Sequence, residues 1–166
     1  MSAYGKPLRA SLASTLLALS FGSVQAPALA SRPLYMPLPE MVAQADHILT
    51  GHVVGVDMID DAGVVHIDDD ERTGPGLDKT IRLHVKVDRV LATNALRVPE
   101  IIAVPVDRSL HWSLGDLRQQ YANDHAERVL ILKGSGFEPV GRGKYFAELA
   151  VQDEVLQLYR VRGEKK

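Results

Sequence analysis

Between Lys79 and Leu91, Ile81, Leu83, Val85 and Val87 alternate with Arg82, His84, Lys86 and Asp88. A period of two predicts a β-strand with one buried and one wet face. Arg128–Lys133, RVLILK, is a compact apolar run whose length predicts a strand buried on both faces. Upstream, His47–Met58 predicts a strand with Ile48, Thr50, His52, Val54, Val56 and Met58 on one face. Gly51 and Gly55 fall on the other face, marking a bend or a close backbone approach. Glu100–Val106 predicts a further strand, with Pro105 at an edge or at its end. Lys144–Val151 and Glu154–Val161 predict a closing hairpin turning at Gln152 and Asp153.

Two stretches switch to helical spacing. Leu38, Met41, Val42 and Ala45 form a short apolar stripe, so Pro39–Asp46 is a predicted helix. Its proline stands in the first turn, and Glu40 at the positive end of the helix dipole. Ser113 is a candidate N-cap with Asp116 three residues on, followed by Leu114, Leu117 and Tyr121 at helical spacing. Asp60–Asp78 is acidic and glycine-containing. Val64–Ile67 there extends a hairpin through the Asp60–Gly63 turn, and Asp68–Gly76 reads as a mobile loop.

The order is three strands, a helix, then two or three strands. A mainly β fold follows: a small OB-like β-barrel of five to six strands, with one inserted helix plugging an end and a short N-terminal helix. The run Glu40-Met41-Val42, Ala45-Asp46-His47-Ile48, Gly51-His52-Val53, then Val85–Leu91 and Glu127–Leu132, resembles a group of small exported bacterial proteins. More distantly it resembles the OB-type domain of tissue inhibitors of metalloproteinases and netrin modules. The resemblance implies a barrel, carried by packing patterns over most of the chain. Those inhibitors are stapled by cysteines and place an N-terminal cysteine on the protease zinc. This chain has no cysteine, so that route of inhibition does not carry over.

The first thirty residues change the picture of compartment. Lys6 and Arg9 precede an apolar run over Leu12–Phe21, and Ala28-Leu29-Ala30 forms an A-x-A cleavage signal. Residues 1–30 therefore read as a signal peptide and 31–166 as one domain, periplasmic or secreted. The run is too short to span a bilayer comfortably, which takes about 20 residues. The whole chain of 166 residues has a formal net charge of −2. Setting Lys6 and Arg9 aside, 17 basic residues stand against 21 acidic ones, a net of −4. Neither value argues for nucleic acid or an anionic membrane.

No catalytic constellation stands out. The six histidines, His47, His52, His66, His84, His111 and His125, include no pair at a metal-binding spacing, and no metal or other cofactor is expected. Asp68-Asp69-Asp70-Glu71 departs from a calcium loop, with Arg72 at its fifth position and Thr73 where glycine is required. Gly134-Ser135-Gly136 and Gly141-Arg142-Gly143-Lys144 read as turns, since neither completes a phosphate loop. Ser135 lacks the elbow motif of a hydrolase nucleophile.

The expected function is an exported, non-enzymatic binding module whose partner is a protein or glycan of the cell envelope. A small extracytoplasmic hydrolase and a structural envelope protein are the alternatives. The candidate ligand-binding residues are Arg82, His84 and Lys86, on the wet face of the central strand, with Trp112 at its border. Three donors at a period of two suit an anionic partner, and OB-folds bind along that region. Solvated charge is the competing explanation for that face. Packing of the inserted helix is the competing explanation for Trp112.

Overall fold

The computed structural model describes residues 36–141 and 146–163. The described chain runs α1 (Leu38–Gln44), β1 (His47–Asp60), β2 (Val65–His66), β3 (Lys79–Thr93), β4 (Ile101–Pro105) and α2 (Leu114–Tyr121). It continues through β5 (Arg128–Lys133), β6 (Glu138–Pro139), β7 (Phe146–Glu148), a 3-10 turn (Leu149–Val151) and α3 (Gln152–Gly163). The predicted signal peptide lies outside the described residues. No described helix is long and apolar enough to cross a membrane.

The fold is mainly β: one seven-stranded antiparallel sheet with three helices. Its path is β4-β3-β1-β5-β6, with β2 added to β1 and β7 to β5. β4 and β6, the two ends of that path, come close to each other, yet no ladder joins them among the described residues.

The alternation in β3 has its physical cause in the core. Ile81, Leu83 and Val85 are buried, and pack with Leu49, Val53, Met58, Ile102, Val104, Leu130, Leu132 and the α2 residues Leu114 and Leu117. The opposite face of β5 feeds a second core. There Val129 and Ile131 meet Ile48, Met41, Val42 and Ala45, with Val155 from α3. A six-residue strand between two cores has no wet face, which accounts for the RVLILK run.

Three predictions need correction. The closing hairpin is instead β7 followed by α3. Val151, Val155, Leu158 and Tyr159 fall on one helical stripe against the second core. Asp153 and Glu154 stand in the first turn, Arg160 and Arg162 in the last, all suited to the dipole. Lys144 lies outside the described residues.

The facing of β1 also differs. Its ladder with β3 slips between Ile48 and Leu49, between Thr50 and Gly51, and between Val53 and Gly55. Each slip inserts one residue on one strand and re-aims its neighbours. Ile48 faces the second core and Leu49 and Val53 the first by alternation; beyond the slip at Val54, which stands 49% exposed, Met58 faces the first core rather than that of Ile48.

Finally, Asp68–Gly76 is a strap rather than a free loop. Its backbone accepts from α2: Leu114 N donates to the Glu71 carbonyl, and Gly115 N to that of Asp69. Thr73 is fully buried. Its hydroxyl donates to the Leu110 carbonyl at 2.9 Å and accepts from Trp112 N at 3.2 Å, while its own N–H reaches the Trp112 carbonyl. Ser113 caps α2 as expected, accepting from Asp116 N.

Candidate functional site

The wet faces of β1 and β3 meet across the slip at Val54. His52 stands opposite Lys86, Gly55 opposite His84, and Asp57 opposite Arg82. Adjacent antiparallel positions place side chains within reach, and the charges pair accordingly. Arg82 grips Asp57 with two donors, at 2.9 and 2.5 Å. His84 Nε2 lies 2.9 Å from the same carboxylate, and His52 Nδ1 lies 2.8 Å from Asp88. Lys86 is exposed and makes no ion pair among the described residues.

Of the four predicted ligand residues, Arg82 and His84 are thus brought together, on a carboxylate that sequence reasoning did not connect to them. Lys86 shares their face and stays available. Trp112 packs against the first core, which takes the other face of β3. Its indole N–H is buried without a hydrogen-bond partner among the described residues.

Burial acts to raise the Asp57 carboxyl, but hydrogen bonds from Arg82 and His84 outweigh it and hold the group below its ordinary range. A carboxyl lowered in the folded state adds stability in full above its unfolded pKa. That stability is lost as pH falls through the folded value. The stability gap between the parent protein and Asp57→Asn should therefore be widest near neutrality and close below about pH 4. Urea melts from neutral to acid pH check this. A gap constant across that range would mean that Asp57 is not held low.

Beside this face the slip at Val54 leaves a groove of about 530 Å³. β1 lines it from His52 to Val56, and β3 contributes Lys86. Arg118, Tyr121, Ala122 and His125 close the far side, from α2 and the turn after it. The position of β1 explains the opening. β5 pairs with β1 only as far as Gly51, and β2 begins at Met58, so the intervening edge has no strand partner. α2 lies there instead, anchored by Arg118, whose Nε donates to the Val56 carbonyl at 3.4 Å. The other end of that guanidinium holds Asp69 at 2.6 Å and the Ile67 carbonyl at 3.0 Å. The strap therefore fixes one wall of the groove. Burial raises the Tyr121 hydroxyl, which stays a hydrogen-bond donor at neutral pH.

Sequence reasoning missed Arg118, Tyr121 and His125 as groove residues. The helical spacing from Leu114 to Tyr121 placed α2, but the edge that receives it depends on where β5 stops.

Two further histidines are held locally. His66 sits between Asp60 and Glu71, 3.4 Å from each. His47 is buried, with Nδ1 at 2.7 Å from the Thr93 hydroxyl and Nε2 at 3.0 Å from the Gly134 carbonyl. No cluster of three or more metal-ligating side chains occurs among the described residues. No family model matches the chain, and no curated protein matches it.

Proposed function

We propose that the protein is an exported, non-enzymatic binding module. It has an OB-like arrangement of strands and holds an anionic partner of the cell envelope at the groove beside β1. The observation that carries this reading is the contrast among the cations of one sheet face. Arg82 is committed to Asp57, whereas Lys86 stands unpaired at the rim of a concave site. An unpaired ammonium beside low-dielectric walls attracts a negative group even on a chain of net negative charge. The OB-like part of the reading rests on the strand order and on the approach of β4 to β6. Export rests on the charged start, the apolar run and the A-x-A site of residues 1–30.

Binding to a defined panel of singly and multiply charged anionic peptides and glycans tests the proposal. The expected affinity falls with added salt and drops about tenfold in Lys86→Ala, with little change in Arg82→Ala. A partner whose affinity survives both substitutions together would overturn it.

A further inference from the structure

The groove narrows the class of anion. Its walls are mostly apolar: Val54 and Val56 of β1, Ala122, and the Tyr121 ring, which is braced edge-on by Phe146 at 6.4 Å. The charges around it are largely spent. Arg118 is paired with Asp69, Asp88 with His52, and Asp124 with Arg128 at 2.5 Å. Among the described residues, one ammonium of the groove remains without a carboxylate, that of Lys86, and the His125 imidazole stands exposed nearby. A polyanion entering here would bring several negative charges to one free cation and meet Asp69, Asp88 and Asp124. A single negative charge finds Lys86 without that penalty, and a bare anion would leave the apolar wall unused.

We propose that the groove takes one carboxylate attached to an apolar body. The carboxylate sits on Lys86, and the body lies along the valine wall beside Tyr121. This rests on the binding-module reading and names its ligand class. Two sources share the chemistry: a free branched-chain or aromatic acid, and the C-terminal carboxylate of a peptide that ends in an apolar residue.

Calorimetric titration of the purified protein separates these sources. Isocaproate stands for the free acid and N-acetyl-leucine for the peptide terminus; the tighter of the two identifies the source. Their neutral counterparts, isocaproamide and N-acetyl-leucinamide, are expected to bind about tenfold more weakly, as is either acid to Lys86→Met. Lys133→Met, remote from the groove, should bind like the parent. Amides that bind as tightly as the acids would overturn the proposal, and that comparison needs no variant. Inorganic phosphate binding more tightly than either acid would overturn the ligand class while leaving the anion-binding reading intact. No binding by either acid or by phosphate would remove both.

Discussion

Val85→Asp is expected to leave the protein unfolded at room temperature, while Lys86→Asp melts within a few degrees of the parent. The two residues are neighbours on β3 and face opposite ways. Val85 is fully buried, opposite Val53 of β1 and Ile102 of β4, at the centre of the first core. Burying an unpaired carboxylate there costs several kcal/mol. Losing the valine removes a further ~1.5–3 kcal/mol. Together these rival the ~5–15 kcal/mol that holds a domain folded. Lys86 is exposed, where substitutions usually stay within about 0.5 kcal/mol. Circular dichroism melts of both variants check the pair, and equal losses would mean that the faces of β3 are misassigned.

The second large effect is expected at Gly51. A Cβ at this position would lie 2.4 Å from the Lys86 carbonyl oxygen and 2.9 Å from Val85 Cγ1. The obstructing oxygen is backbone of the central strand, and Gly51 is also paired with Arg128 of β5, so neither side yields easily. Gly51→Ala should therefore cost about 1–3 kcal/mol, the usual range for overpacking. Gly55, four residues on, is the control. Its Cβ would meet His84 side-chain atoms at 3.8 and 3.9 Å, ordinary contact distances. Gly55→Ala should be neutral or stabilising by up to about 1 kcal/mol, through the smaller entropy of the unfolded chain. Urea denaturation gives both values, and a Gly55→Ala loss as large as that of Gly51→Ala would contradict the fit of β1 against β3.

These two positions also mark how far the sequence could be read. β3 was legible because Ile81, Leu83 and Val85 serve a single core, and the slip opposite them adds its extra residue to β1. β1 was not, because the slip at Val54 adds a residue to it, and a period of two does not survive an inserted residue. A glycine inside a strand, as at Gly51 and Gly55, marks a bend or a close approach. Only the approach at Gly51 is close, and its partner, the Lys86 carbonyl, is fixed by register rather than by sequence. The C-terminal stretch holds apolar residues that satisfy both an alternating and a helical reading. The second core decides for the helix by taking Val155, with Val151, Leu158 and Tyr159 packed against it. In the strap, acidic composition signalled solvent, while the backbone groups that hold α2 leave no mark on composition.

The candidate site divides in the same way. That Arg82, His84 and Lys86 share a face followed from alternation alone. That Asp57 engages two of them depends on the pairing of β1 with β3. Trp112 does not border them: it packs on the other side of the sheet, against the core that takes Leu114 and Leu117 of α2.

Amide chemical-shift mapping during an isocaproate titration locates the ligand directly. Shifts should concentrate at residues 52–56, at Lys86 and across 118–125, while Arg82, Asp57 and Trp112 stay near their starting positions. Saturating shifts confined to Trp112 and the 68–76 strap, with the groove unmoved, would place binding on the other side of the sheet and contradict the assignment of the site.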